Sequence, residues 1–133
     1  VLRVKNEATK MLVPGTLWKE YHVEVGSIMT KELLELGLLD KADVQNEDPN
    51  WPAYKKYFMH GTSHHMGLDT HDYGVLWEPM QAGNVFTVEP GIYIPEEGFG
   101  IRLEDDVVIN NSGAPFNLMR DIPIEAEEIE DLM

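Results

Sequence analysis

The sequence predicts an α+β fold in which two amphipathic helices pack on antiparallel strands. Apolar residues recur at helical spacing through the first 36 residues. After Phe58 the pattern changes to short runs of β-branched and aromatic residues, which are typical of strands. Proline, glycine and asparagine separate these runs as turn residues do. A chain of 133 residues forms one domain at most and is long enough to bury a core.

Two helices are predicted before the strands. The first covers residues 1–12 and ends in a turn at Pro14 and Gly15. Thr16 is the expected N-cap of the second helix, which extends to about Leu36 and stops at Gly37. The apolar face of the first helix comprises Val1, Val4, Ala8, Met11 and Leu12. That of the second comprises Trp18, Tyr21, Val25, Ile28, Met29 and Leu33.

The rest of the chain is predicted to be a loop followed by strands. Residues 38–56 are interpreted as mostly loop, and the nearby aromatic residues Trp51, Tyr54 and Tyr57 as packing anchors. Strands are expected at residues 85–89, 92–94 and 101–109, with a short edge strand within 115–118 and a short acidic helix at 125–132.

The composition excludes several classes of partner and chemistry. The chain carries 24 acidic against 10 basic residues, a net charge of −14. Nucleic-acid backbones and anionic membranes select lysine and arginine, so we expect neither as a partner. The absence of cysteine excludes disulfides, thiolate zinc sites and cysteine nucleophiles, and it fits a cytoplasmic location. The chain begins at Val1 with helix-like sequence, so we expect it to be a piece of a longer protein.

The densest group of reactive side chains is a histidine cluster. Four of the five histidines lie between residues 60 and 71. His60 and His64 have the i, i+4 spacing that brings two imidazoles to one helical face for a metal. Gly61 and Gly67 disfavour a helix here, however, and no H-E-x-x-H motif occurs. From spacing alone, metal binding and structural hydrogen bonding in a polar loop both remain open.

Two carboxylates on predicted strands add support for a metal site. Period-two alternation places Glu89 and Glu104 on the same face if their strands are antiparallel neighbours. Two carboxylates about 5 Å apart repel by about 3 kcal/mol at an effective dielectric of about 20. A shared proton, Arg102 or a divalent cation would relieve that repulsion, and His64 would complete a nitrogen–oxygen ligand set for manganese, zinc, iron or cobalt. The alternative is two solvent-facing glutamates. Asp105 and Asp106 are interpreted as turn or surface acids.

Three ordered motifs resemble a known family, the pita-bread metallopeptidases. Within that family the sequence is most similar to the Xaa-Pro aminopeptidases, with prolidases next. The motifs are His60-Gly61-Thr62-Ser63-His64 continuing through Gly67-Leu68-Asp69 to His71-Asp72, then Phe86-Thr87-Val88-Glu89-Pro90-Gly91-Ile92-Tyr93, and Gly100-Ile101-Arg102-Leu103-Glu104-Asp105-Asp106-Val107. The resemblance implies that residues 1–133 are the C-terminal portion of a metallopeptidase catalytic domain, with two helices packed on a curved antiparallel sheet.

The resemblance also implies a role for each matching residue. His64 and Glu89 would bind one metal, and Glu104 would bridge two. Glu89 would also be the general base, and Arg102 would orient the metal carboxylates. His60 and His71 would contact the substrate and stabilise the tetrahedral intermediate. The implied cofactor is a pair of divalent ions, manganese first, with cobalt or zinc as alternatives.

The implied function is removal of the N-terminal residue from peptides with proline at the second position. A prolidase-type Xaa-Pro dipeptidase and a non-catalytic peptide- or protein-binding relative are the alternatives. The family site also needs two aspartates upstream of the first helix, which Asp40, Asp43 and Asp48 do not match. We therefore expect the isolated chain to be inactive, metal-free or weakly metal-binding, and able to form a homodimer through its bare sheet face.

Overall fold

The predicted order of helices, loop and strands is confirmed in the computed structural model, which describes residues 1–133. Four α-helices, five β-strands and two 3₁₀ turns occur along the chain. The helices are α1 (Leu2–Lys10), α2 (Trp18–Glu35), α3 (Lys41–Gln45) and α4 (Ala126–Glu130). The strands are β1 (Val85–Val88), β2 (Gly91–Ile94), β3 (Phe99–Arg102), β4 (Asp105–Val108) and β5 (Phe116–Asn117). No helix is both long enough and apolar enough to cross a membrane.

The two long helices bury the apolar faces that their spacing predicts. Side chains from α1, α2 and the strands form one apolar core, in which Tyr21, Phe86 and Val107 are almost fully buried. Gly37 ends α2 with a φ of +72°, a conformation that glycine adopts without steric cost. The predicted N-cap is wrong, since Leu17 occupies that position. The Thr16 hydroxyl instead donates to the Met11 carbonyl at 2.8 Å and closes the turn after α1.

The region after α2 is more ordered than its composition indicates. Residues 41–45 form α3, which Asp40 and Asp43 begin with reciprocal side-chain-to-backbone hydrogen bonds. A 3₁₀ turn follows at Ala53–Lys56. The prediction that Trp51 is a packing anchor is wrong, because its side chain is 55% exposed. Tyr57, in contrast, is buried in the core.

The prediction of one long strand over residues 101–109 is wrong. The chain forms β3 and β4 instead, with an interruption at Leu103 and Glu104. β3 pairs with β2, whereas β4 lies between β1 and β5. The cause lies on the opposite strand, where Pro90 has no N–H to donate to the ladder. Pro90 still accepts a hydrogen bond from the Leu103 N–H at 3.3 Å, so the two strands stay together across the break.

Both ladders keep the same register across this break. Val88 pairs with Asp105 on one side, and Gly91 pairs with Arg102 on the other. The register between these pairs places Glu89 opposite Glu104. The sequence-based expectation that the two carboxylates are strand neighbours therefore agrees with the topology.

The histidine cluster begins as a segment that runs antiparallel to β1. Three backbone hydrogen bonds join the two segments, from Glu89 N–H to the Thr62 carbonyl at 2.7 Å, from Thr87 N–H to the His64 carbonyl at 3.1 Å and from Met66 N–H to the Val85 carbonyl at 3.2 Å. On the other side, the buried hydroxyls of Ser63 and Tyr21 share a 2.8 Å hydrogen bond. These contacts fix His64 between α2 and the end of β1.

Asp105 is not the surface acid that its sequence context indicates. It is 6% exposed and forms a buried ion pair with Lys5, which is 3% exposed on α1. The Asn117 amide of β5 donates to the same carboxylate at 2.9 Å. An acid one residue from a strand break can be buried here because α1 supplies a cation to it.

Candidate metal centre

The orientation of the His64 ring is fixed by a backbone carbonyl. His64 Nδ1 lies 2.9 Å from the carbonyl oxygen of His65, and a carbonyl only accepts. Nδ1 therefore carries the proton, and a neutral His64 presents a lone pair at Nε2. Histidine ligands of metals are commonly oriented in this way, by a hydrogen bond from the other ring nitrogen.

The lone-pair nitrogen of His64 faces a carboxylate. Nε2 lies 3.1 Å from Glu89 Oε1, and the two side chains are only 21% and 13% exposed. Because both atoms are acceptors, their contact is favourable only when a proton or a cation lies with them. Two donor atoms bound to one divalent ion at about 2.1 Å, with an angle of about 90–110°, lie about 3.0–3.4 Å apart. The His64–Glu89 pair therefore fits as two ligands of one divalent cation.

Two further side chains orient the Glu89 carboxylate. The Thr87 hydroxyl donates to Oε1 at 3.3 Å, and Arg102 Nη1 lies 3.6 Å from Oε2. Thr87 points to the same side of β1 as Glu89 and also accepts the His64 N–H at 3.1 Å. The structure thus places Arg102 next to the carboxylate that it was expected to orient.

Glu104 and Asp106 enlarge the negative charge around this pair. Loss of solvation, and next the Glu89 carboxylate, raise the pKa of Glu104, whereas Arg102 opposes the shift. Loss of solvation and the neighbouring Asp105 likewise raise the pKa of Asp106. The charged forms of these two carboxylates are therefore less stable than usual. A nearby divalent cation would stabilise both of them.

Asp106 lies beside the candidate site, a position that the sequence interpretation missed. It pairs with Thr87 across the β1–β4 ladder, so its side chain faces the same side as Glu89. Its Oδ1 atom is buried and has no hydrogen-bond partner. The interpretation of Asp106 as a turn or surface acid is therefore wrong, although the alternation that groups Arg102, Glu104 and Asp106 on one face was present in the sequence.

The structure assembles the predicted ligands only in part. His64 and Glu89 are in contact, and Glu104 is close enough for Glu89 to affect its pKa. No group of three or more histidine, aspartate or glutamate side chains is arranged to hold a metal ion. The chain therefore supplies the contacting pair His64 and Glu89 with carboxylates nearby, but not a complete coordination shell.

The two histidines predicted to contact substrate, His60 and His71, differ in their hydrogen bonding. His60 Nδ1 donates to the Gly61 carbonyl at 2.8 Å, so its Nε2 accepts from the Tyr93 hydroxyl at 2.9 Å. His71 is exposed, and its ring centroid lies 4.3 Å from that of His64. Its side chain makes no hydrogen bond within the chain. No role was predicted for Tyr93, although it belongs to the second of the three motifs.

A cavity of about 270 Å³ opens beside the rings of His64 and His71. His64, His71, Trp18 and His22 are among the residues that line it. Burial, and then the nearby Lys55 charge, lower the pKa of His22 and so favour its neutral form. His22 lies on the helix face next to the predicted apolar stripe, and nothing in its spacing indicated a place beside the histidine cluster.

Comparison with known proteins identifies relatives over the whole chain. Residues 1–111 match metallopeptidase family M24. Xaa-Pro aminopeptidases from Escherichia coli and Haemophilus influenzae are 42% and 39% identical over 100% of this chain. The chain spans only 32% and 33% of the lengths of these two relatives.

Solved structures agree with the sequence comparison. E. coli aminopeptidase P, determined with the inhibitor Pro-Leu, is 40% identical with a TM-score of 0.84, over 100% of this chain and 32% of that chain. Aminopeptidase PepP from Pseudomonas aeruginosa is 34% identical with a TM-score of 0.84, over 100% of this chain and 33% of that chain. These values confirm the predicted pita-bread family and its α+β architecture. From the match over residues 1–111 and these relatives, this chain belongs to metallopeptidase family M24.

Proposed function

We propose that residues 1–133 are the C-terminal portion of the catalytic domain of a metal-dependent Xaa-Pro aminopeptidase. The observation that carries the proposal is the 3.1 Å contact between His64 Nε2 and Glu89 Oε1. It places a fixed imidazole and an oriented carboxylate at one point, in a chain whose similar relatives are named Xaa-Pro aminopeptidases. The proposed substrates are peptides with proline at the second position.

The proposed metal ligands are His64, Glu89 and Glu104. Their nitrogen and oxygen donors suit manganese, with cobalt or zinc as alternatives. When bound at such a site, divalent ions lower the pKa of water and polarise a carbonyl group. Arg102 contacts Glu89 and would hold its carboxylate in the orientation that binding requires.

Glu89 is the proposed general base. Its Oε1 lies beside His64 and its Oε2 beside Arg102, so the carboxylate is held at both ends. A base fixed in this way accepts a proton from the attacking water without first having to reorient. The proton can then pass from Glu89 to the leaving proline nitrogen.

The two outer histidines have different proposed roles. Both ring nitrogens of His60 are already hydrogen-bonded, to Gly61 and Tyr93. His60 therefore offers a ring face or edge to the substrate. His71 retains a ring N–H that is not donated within the chain, so it is the better candidate to stabilise the negative oxygen of the tetrahedral intermediate.

The experiment compares turnover by the complete natural protein with that of matched variants. With manganese present, a tripeptide with proline second should be cleaved, and a chelator should abolish the activity. Glu89→Gln should lower kcat by about 10²- to 10⁴-fold. Glu97→Gln, an exposed acid in the turn after β2, is the control and should keep normal turnover.

The same assay separates the alternatives. Cleavage of Xaa-Pro dipeptides but not tripeptides would favour the prolidase-type function. Binding of both peptides without hydrolysis would favour a non-catalytic relative. More than about a tenth of normal kcat in Glu89→Gln, at unchanged metal content, would reject Glu89 as the base.

The 133-residue chain alone is proposed to be inactive, since its carboxylates and histidines do not form a complete coordination shell for a metal ion. A cytoplasmic location is also proposed, because none of its residues is a cysteine.

A further inference from the structure

The position of His71 depends on the loop that carries it. The His71 ring is exposed and makes no side-chain hydrogen bond, yet it lies 4.3 Å from the His64 ring. A side chain with neither burial nor a hydrogen bond takes its position from its backbone. The backbone contacts of residues 67–73 therefore decide where the imidazole lies.

The Asp72 carboxylate closes this loop. Its Oδ2 accepts the Leu68 N–H at 2.9 Å, and its Oδ1 accepts the Tyr73 N–H at 2.7 Å. The two donors use different oxygens, so both oxygens of a carboxylate are needed. Hydrogen bonds to an ionised acceptor are about twice as strong as neutral ones. Asp72 thus joins the two ends of the turn that contains His71.

The Asp72 backbone is fixed to the atom that orients His64. The Asp72 N–H donates to the His65 carbonyl at 3.0 Å, and that oxygen also accepts from His64 Nδ1 at 2.9 Å. One carbonyl therefore links the predicted ligand His64 to the residue next to His71. A displacement of Asp72 would move both histidines relative to each other.

Gly67 leaves the space that the carboxylate occupies. A Cβ atom at position 67 would overlap with Asp72 Oδ2. Gly67→Ala would therefore push the carboxylate away from its donors without changing Asp72 itself. This gives a second, independent way to disturb the same interaction.

We propose that Asp72 is a positioning residue that holds His71 beside His64 by closing the loop of residues 67–73. The functional part of this inference rests on the proposed function above. The structural part does not. The hydrogen bonds to Leu68 and Tyr73 and the spacing of the two rings can be measured whether or not the protein is an active peptidase.

The test compares Asp72→Ala, Asp72→Asn and Gly67→Ala in the complete natural protein. Asp72→Ala removes both acceptors, whereas Asp72→Asn retains one acceptor oxygen. The control is Asp69→Ala in the same loop, because the Asp69 side chain is exposed and makes no hydrogen bond. Each variant is measured for amide exchange at Leu68 and Tyr73, for the nuclear Overhauser effect between the rings of His64 and His71, and for kcat and KM on an Xaa-Pro tripeptide.

We expect Asp72→Ala and Gly67→Ala to speed exchange at both amides and to remove the Overhauser effect between the rings. We expect kcat to fall by about 10- to 100-fold with KM changed much less, since small misplacements of catalytic groups can cost 10²-fold. Asp72→Asn should lie between Asp72→Ala and the wild type, and Asp69→Ala should match the wild type.

Unchanged exchange and an unchanged Overhauser effect in Asp72→Ala would overturn the proposal. So would altered exchange with kcat within twofold of normal, because the loop would then not position a reacting group. If the wild type cleaves no Xaa-Pro peptide, the proposed function fails. In that case, loss of the Overhauser effect in Asp72→Ala still supports positioning by Asp72, and its persistence still refutes it.

Discussion

The buried ion pair between Lys5 and Asp105 should be a large local contribution to stability that depends on both partners. Lys5→Met removes the cation and leaves the Asp105 carboxylate, which is 6% exposed, with the Asn117 amide as its remaining side-chain partner. Breaking a buried pair in this way typically costs about 3–5 kcal/mol, because an uncompensated charge stays buried. Since small domains are stable by about 5–15 kcal/mol, the single variant should unfold much more readily.

The double variant Lys5→Met/Asp105→Leu separates charge burial from packing. Replacing both charges by apolar groups is often neutral or stabilising, so the double variant should recover most of the loss. We therefore expect a coupling free energy of about 3 kcal/mol between the two positions. Lys10→Met is the matched control, because Lys10 forms an exposed 2.6 Å pair with Glu7 on the same helix. Exposed pairs contribute about 0–1 kcal/mol.

Urea unfolding of the 133-residue chain, followed by circular dichroism, measures each free energy of unfolding. If Lys5→Met does not fold at all, recovery of the transition in the double variant provides the same information. A loss below about 1 kcal/mol in Lys5→Met, similar to that of the Lys10→Met control, would refute the reasoning.

Three further predictions concern the site and the exposed sheet face. His71→Ala in the complete natural protein should lower kcat while leaving the metal content unchanged; loss of a full metal equivalent would make His71 a ligand. Asp106→Asn should raise the free energy of unfolding of the metal-free chain at pH 7, and the difference should shrink as acid protonates the carboxyl. The sign follows from the raised pKa of Asp106, since folding favours its protonated form; a destabilised variant would contradict it. The 133-residue chain should self-associate through the apolar face around β2 and β3, where Leu36, Phe99 and Ile101 are 59%, 52% and 47% exposed. Light scattering after size exclusion tests this, and a 15.1 kDa species at every concentration would refute it.

The helices could be predicted because their signals are local. The apolar spacing of Val4, Ala8 and Leu12 is set within the first twelve residues, and all three side chains are buried. Gly37 likewise ends α2 with a positive φ, as a C-terminal glycine does.

The strand break could not be predicted from its own segment. Nothing in the sequence of residues 101–109 interrupts a strand, and Leu103 and Glu104 have no special backbone preference. The interruption follows from Pro90 on the opposite strand, and the partner of a strand is not visible in its own alternation.

Long-range pairing explains the two misinterpreted acids. Asp105 is buried because Lys5, 100 positions earlier in the chain, reaches it from α1. Asp106 faces the site because β4 pairs with β1, which fixes it opposite Thr87. Motif resemblance implied the specific roles of His60, His64, His71, Glu89, Arg102 and Glu104. The structure contributes the contacts of Glu89 with His64 and Arg102 and the closeness of the His64 and His71 rings.

The most direct test of the account is where a metal ion binds in the complete natural protein. Crystals grown with manganese and measured near the manganese absorption edge give an anomalous peak at each bound ion. We expect a peak about 2.0–2.3 Å from both His64 Nε2 and Glu89 Oε1, with Glu104 as a further oxygen ligand. A fully occupied manganese ion at another place, with no ion bound between His64 and Glu89, would contradict the proposed metal ligands.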